Sequence, residues 1–453
     1  MSQSIKEALA DSARKMEKLA ELALETAKKI GVDHAKIMTG ASFQKRLVVE
    51  NKQFTLANSL ESRSLGILVF KDKKKGSASI NTVTEDGVKQ AVADALSLAT
   101  FSVPDESLVL PTREEAPKAK DLPFLFDDKL AEVELEEIQA TMQEVLGRLT
   151  RDKRVALDRY EMSVDVSFHG LANSYGVRQA ERQSMGHWSF FGMGRDGEEV
   201  TGFDYDGSFS FNRHDLLSRS MMDAAKFSEK IVAGLNPGKA PTYKGPVLFS
   251  PRAVQELLLG MVLYHASGAQ VMDGKSRWDK MIGQKVVSSL LTLTDRPHDQ
   301  RFSGATSCDA DGVPTRSQAI LDQGVLKLHL HNCYTAKRMG TKTTAHAGGP
   351  FACDIAAGTT KLADTLKVRD QLLMVDRFSG NSDPVKGDFS GVAKSSRLFI
   401  GGKDSGPVTE TMIAGNFFEL AQAVLAVTDI TENVGGGFIS LYVLVDGVSV
   451  TGG

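Results

Sequence analysis

Cysteine is nearly missing from this chain. Cys308, Cys333 and Cys353 are the only three in 453 residues. They are too few and too scattered for a disulfide framework, and the odd number suits a reducing compartment. A surplus of positive charge is also lacking. Lys+Arg total 54 against 57 Asp+Glu, a formal net charge of −3. Nothing there would neutralise a phosphate backbone, so direct nucleic-acid binding is not expected. No apolar run approaches the ~18 residues of a membrane span. The N-terminus MSQSIKEALADSARKMEKLAE is charged throughout, without the apolar core of a signal peptide. These absences predict a soluble, cytoplasmic chain with no membrane association. The familiar catalytic strings are missing too: there is no Gly-x-Ser-x-Gly elbow, Cys-x-x-Cys pair or His-Glu-x-x-His motif.

What is present is an ordinary globular composition, 42% apolar and 25% charged. The length suits two or three domains at ~150 residues each. Glycine divides the chain: six of the 41 fall in residues 1–169 and 35 beyond. That split predicts a helix-tolerant front and a back built of strands, turns and close backbone approaches. The expected class is α+β: a helix-bearing antiparallel or mixed sheet domain over residues 1–235, then a strand-rich domain over 241–453. The eleven residues Asn236–Pro246, rich in proline and glycine, would join them.

Along the front, Ile5–Ile30 reads as a helix stopped by Gly31. Strand-like runs follow at His34–Met38, Lys45–Glu50, Phe54–Ser59 and Leu65–Lys71. The basic run Lys71–Lys75 before Gly76 is expected in a solvated hairpin turn rather than a nucleic-acid patch. Thr84 should cap a helix with Val88, Ala91, Val92, Ala95 and Leu96 on its apolar stripe. Prolines 104, 111, 117 and 123 make residues 101–125 a linker that cannot be continuous helix. Amphipathic helices are expected around Leu135–Leu149 and Leu216–Ala233, with strands between. Val247–Phe249 reads as a strand, and Ser250-Pro251 as the cap and first residue of a buried helix reaching about Ser267. Another helix is expected at Asn416–Val427.

Three local patterns could carry chemistry. Ala269–Ser276 matches the string of a phosphate loop, but a helix precedes it instead of a strand, so a plain loop is expected. His329, His331 and Cys333 alternate and would share one strand face, which could hold a soft divalent metal. Asn332, however, is a good N-cap for Cys333–Met339, which would take Cys333 off that face. Asp309 and Asp311 read as turn residues.

Taken as a continuous series, the second half is more specific. It runs Pro246-Val-Leu, Ser250-Pro251, His265-Ala-Ser-Gly268, Gly283-Gln-Lys-Val286 and Asp311-Gly-Val-Pro-Thr315. Gly324-Val-Leu-Lys327, Gly387-Asp-Phe-Ser-Gly391 and Ala414-Gly-Asn-Phe-Phe418 complete it. This series resembles the TldD/PmbA family of bacterial and archaeal peptidases, also labelled modulators of DNA gyrase, over nearly the whole chain. In the TldD branch the resemblance implies His-Glu-x-x-x-His on the helix after the Val247–Phe249 strand. Zinc would be held there with a cysteine near the C-terminus, and the glutamate would act as general base. The TldE (PmbA) branch would supply a peptide-enclosing chamber and no metal.

Aligned on this pattern, His265 occupies the first histidine position, Ala266 the general-base position and Gln270 the second histidine position. Ile430–Ser440, the region of the third ligand, has no cysteine. The resemblance thus implies a TldE-type subunit with no catalytic residue and no cofactor of its own. Zinc would sit on a TldD-like partner in a heterodimer that acts on unfolded peptides. A homodimeric peptide- or protein-binding module is the alternative, and gyrase modulation a third class that the charge balance does not favour.

Overall fold

The computed structural model describes residues 4–409 and 411–453. The protein is α+β, with one sheet in each half. Helix α1 (Ile5–Lys29) begins at a capping box in which Ser4 and Glu7 satisfy each other's backbone N–H groups. It buries Leu9, Met16, Leu19, Ala20, Ala23 and Ala27, and ends before Gly31, whose φ of +81° suits glycine.

The four front strand segments expected from sequence are two long strands, β1 (His34–Glu50) and β2 (Gln53–Lys71), paired antiparallel along their length. The break expected in each is absent. Its small and polar residues, such as Gly40, Ser42, Ser62 and Ser64, lie opposite one another in the ladder. β3 (Lys74–Ile80) follows a tight turn through Asp72 and Lys73, so the basic run is a hairpin turn. Gly76 lies against α2 (Glu85–Thr100) so closely that a Cβ there would stand 1.9 Å from the Ala95 carbonyl.

β4 (Val155–Asn173) pairs with β1, β5 (Arg178–Asp196) with β4, and Asp204–Ser210 closes the sheet on β5. One face carries Ile37, Leu47, Val49, Leu65, Ile67, Met162, Val164, Trp188 and Phe190. It packs on α1, α2, Leu135–Leu149 and Arg213–Val232 in a single core. Each fully buried large apolar side chain in it contributes roughly 1.5–3 kcal/mol relative to exposure.

Strand periodicity sends the alternate residues to the other face. By register that face carries Ser42, Gln44, Arg46, Ser62, Ser64, Glu161, Ser163, Asp165, Ser167, His187 and Ser189. The front sheet is therefore greasy on its helix side and hydrophilic on the side turned toward the rest of the molecule.

The second sheet is built round Phe438–Thr451, which pairs with Tyr243–Phe249, Val424–Val434, Met412–Asn416 and Cys353–Ile355. Asn416–Val427 is not a helix. Phe417–Leu420 makes one turn capped by Asn416, and the chain then enters the strand Val424–Val434. The Ala/Leu-rich composition favours helix locally, but pairing of Val424, Ala426 and Val427 with Val445, Leu444 and Val443 overrides it.

Residues 101–125 hold no α-helix, as their prolines require, and form a strap across the seam between the halves. Pro111 and Pro117 carbonyls accept from Asn173 and Gln179 of the front sheet. Asp105 accepts from Tyr334 of the back half at 2.7 Å. Among the described residues no helix is long and apolar enough to cross a membrane.

Candidate functional site

Tyr243–Phe249 delivers the chain to Ser250, whose hydroxyl accepts from Ala253 N–H with Pro251 in the first turn. The segments Pro251–Ala253, Val254–Leu259 (π-type) and Gly260–Ala266 then run on as one buried helix. It stops at Ser267 because strand-like backbone at Leu330 takes over. Leu330 N–H donates to the Ala266 carbonyl at 2.8 Å, and Gly268 N–H donates to the Leu330 carbonyl at 2.9 Å. Only glycine fits at 268, since a Cβ would lie 2.3 Å from His331 Nδ1. Gln270 therefore sits beyond the break, on the short segment Gly268–Met272.

His265 is fully buried. Its ring lies 5.6 Å from Trp278, 4.9 Å from Phe418 and 6.4 Å from Phe417, centroid to centroid. Arg277 N–H donates to its Nδ1 at 3.2 Å, while Nε2 makes no hydrogen bond. Burial lowers its pKa, outweighing the opposing pull of the Pro384 carbonyl, and favours the neutral imidazole. Ser276, the last residue of the phosphate-loop string, donates to the His265 carbonyl, and Lys275 pairs with Asp273. No helix N-terminus follows, so that string is a loop. Ala266 is fully buried as well.

The third-ligand region is the hairpin between Val424–Val434 and Phe438–Thr451. Its tip turns through Gly435 and Gly436 at positive φ. The tip is held from both halves: Ser303 N–H of the back half donates to the Gly436 carbonyl at 2.8 Å, and a Cβ on Gly436 would meet Phe209 of the front sheet at 2.6 Å.

This tip forms one wall of a cleft of about 800 Å³ between the two sheets. Arg252, Gln255 and Glu256, from the first turns of the buried helix, form the second wall. The hydrophilic face of the front sheet, with Glu161, Ser163, His187 and Ser189, forms the third. None of His265, Ala266 and Gln270 lines it. The fold thus brings the hairpin to the beginning of the helix, and the positions taken from the sequence pattern lie apart from it. Ser250-Pro251 marked that beginning. No local signal showed that its first turns would face residues 432–435.

These residues do not fit a catalytic zinc. The helix and the hairpin offer two amides, Gln255 and Asn433, and two carboxylates, Glu256 and Glu432, where such a site takes three imidazole, thiolate or carboxylate ligands. Among the described residues, no group of three or more His, Cys, Asp or Glu side chains could hold a metal ion. The alternating triplet is dispersed by its own bonds. His329 contacts the Trp278 carbonyl, His331 contacts Thr335, and Cys333 opens a helix capped by Asn332. His331 is held down to about 4 by burial and by the neighbouring His329 and His346. Asp309 is pushed up to about 6, mainly by burial, while accepting N–H bonds from Asp311, Val313 and Ala347.

Beside the cleft, Asp204 welds the two halves. It accepts from Arg252 at 3.1 Å, Arg377 at 3.2 Å, Lys230 at 3.0 Å and Ser395 at 3.0 Å. Burial opposes its ionisation, but Lys230, Arg252 and Arg377 outweigh it and lower its pKa. Lys230 also pairs with Asp376 at 2.6 Å.

Family models agree with this architecture. The PmbA/TldA metallopeptidase C-terminal domain matches residues 242–452, and PmbA/TldA metallopeptidase domain 1 matches residues 42–99. The chain belongs to the PmbA/TldD family. Metalloprotease PmbA homolog of Haemophilus influenzae is 28% identical over 435 residues, covering 93% of this chain and 92% of the relative. The Metalloprotease TldD homolog of the same organism is 25% identical over 306 residues, covering 65% of this chain and 60% of that one. The crystal structure of TldE from Thermococcus kodakarensis shares the fold, with a TM-score of 0.84 at 23% identity over 96% of this chain and 99% of that one. The PmbA/TldD fold thus extends through both sheets and the seam between them.

Proposed function

We propose that this chain is the zinc-less subunit of a TldD/TldE-type metalloprotease, forming part of the wall of a chamber that encloses unfolded peptide. The carrying observation is the cleft itself. A metallopeptidase-family scaffold brings its helix and its C-terminal hairpin together, and the possible ligands they present are Gln255, Glu256, Glu432 and Asn433, only two of them carboxylates and none a histidine or cysteine. Without three suitable ligands no water can be activated on a metal there, and the chain's own residues are left to bind and enclose.

Two further features suit an extended peptide. The hydrophilic sheet face offers serine, glutamine and histidine side chains that bond to peptide groups without selecting a sequence. In addition, β2 pairs with β3 only from Leu65 onward, so Gln53–Ser64 keeps an open edge along which a strand could add. Phe54, Leu56 and Leu60 are exposed there, and no proline or lysine interrupts Gln53–Leu60. Cytoplasmic residence and a TldD-like partner belong to the same reading, supported by the TldD-named relatives that match part of the chain.

Reconstitution tests it. The purified chain, mixed with a zinc-loaded TldD-type subunit, should form a 1:1 complex that cleaves an unfolded peptide, while neither subunit alone does so efficiently. A stable homodimer that ignores the TldD-type subunit would sink the reading and favour the peptide-binding alternative.

A further inference from the structure

The cleft has a charge and a surface that the enclosing role does not by itself require. Its floor includes Phe191, Tyr205 and Phe209, and Tyr205 remains 49% exposed. Two carboxylates stand over it. Glu256 uses one oxygen to accept from Phe378 N–H at 2.7 Å, and Glu432 accepts from the Tyr442 hydroxyl at 3.1 Å. Neither has a cation within ion-pair distance among the described residues.

The cations nearby are engaged elsewhere. Arg252 bonds Asp204 and the Tyr205 carbonyl while stacking on the Tyr205 ring at 4.6 Å, and Arg377 bonds Asp204. Glu161, also on the wall, is already neutralised by Arg46 and Arg159. The cleft is therefore aromatic and net acidic, and both free carboxylates are exposed where a ligand entering it could reach them. Its complement is a long side chain with an apolar stem and a positive head.

We propose that the cleft is a subsite for one lysine or arginine side chain of an extended peptide. The methylene stem would lie on Phe191 and Tyr205, and the ammonium or guanidinium would meet Glu256 and Glu432. This deepens the reading of the chain as a peptide-enclosing subunit by giving the enclosed peptide a chemical preference, and it rests on that reading.

The test uses the full chain alone, so its outcome is separate from any partner-dependent cleavage. Fluorescein-labelled unstructured octapeptides of Ser, Gly and Ala, with a single central Arg, Gln or Glu, are titrated by anisotropy at low salt. The Arg peptide should bind roughly tenfold tighter than the Gln peptide, the factor of one charge-assisted hydrogen bond, and the Glu peptide weakest. The advantage should shrink as salt is raised. In the chain carrying Glu256→Gln and Glu432→Gln the Arg preference should fall to within about twofold.

Glu432→Gln alone, on the hairpin, keeps the test available if the double variant melts early, and should lose part of the preference. Nα-acetylargininamide should compete far less well than the Arg peptide. Equal binding of the three peptides, an Arg preference that survives the variants, or equal competition by the free amide would overturn the proposal. If cleavage with a partner fails while the Arg preference holds, only the subunit reading falls.

Discussion

Asp204→Ala is the most demanding perturbation of this structure. The carboxylate is 3% exposed and serves three cations and a hydroxyl drawn from both halves of the molecule. Its removal leaves Arg252 and Arg377, both close to the Tyr205 ring, without their shared carboxylate, while Lys230 keeps Asp376 at 2.6 Å. Breaking a buried pair by deleting one partner costs about 3–5 kcal/mol. Lys230 is partly solvated, which places the expected loss nearer ~3 kcal/mol. Asp204→Asn keeps an acceptor but no charge, and should lose about half as much.

Tryptophan fluorescence in urea reads the two halves separately. Trp188 lies in the front core and Trp278 in the back one, so Trp188→Phe and Trp278→Phe backgrounds report one half each. The wild type should unfold with overlapping transitions, and Asp204→Ala should part them. The pH dependence follows from the sign of the shift. Asp204 ionises below its ordinary 3.8, so its contribution is complete above about pH 4 and is lost as pH falls through the lowered value. A loss below about 1 kcal/mol with transitions still overlapping would refute the reasoning.

Other outcomes follow from the same geometry. His331, held to about 4 against an ordinary 6.5, stays neutral when folded. Stability should fall as pH drops from 6.5 toward 4, by roughly 3 kcal/mol, and His331→Gln should flatten that slope in pH-resolved melts. Gly268→Ala, which drives a Cβ toward His331 and the Leu330 carbonyl, should cost about 2–4 kcal/mol by thermal melting, and an unchanged melt would contradict the close approach. Ala266→Glu restores a carboxylate at the general-base position of the sequence pattern but buries it at a fully enclosed site. It should lower stability and leave the chain inactive, and gain of peptide cleavage would show that this position does face substrate.

Much of the fold could be read from local chemistry, because caps and turns are local. Ser250-Pro251, Asn332 and the Lys71–Lys75 turn stand where their side chains and backbone preferences put them. Asn416–Val427, expected as a helix, went the other way, since the strand that its end pairs with lies far off at Val443–Val445. The cleft was the least legible part. Its walls come from β4, β5, residues 204–210, the first turns of the helix at 252–256 and the hairpin tip at 432–435. No spacing in the sequence encodes that meeting. His265 drew notice as a histidine in the right order, yet its surroundings are the aromatic rings of Trp278, Phe417 and Phe418.

The central claim, that this member of the PmbA/TldD family carries no catalytic zinc of its own, is tested most directly by metal analysis of the purified full chain, with peptide cleavage followed in the same sample. The account predicts far less than one zinc per chain after exposure to zinc and desalting, and no chelator-sensitive cleavage until a TldD-type subunit is added. One tightly held zinc per chain, with cleavage abolished by a chelator and restored by zinc, would contradict it.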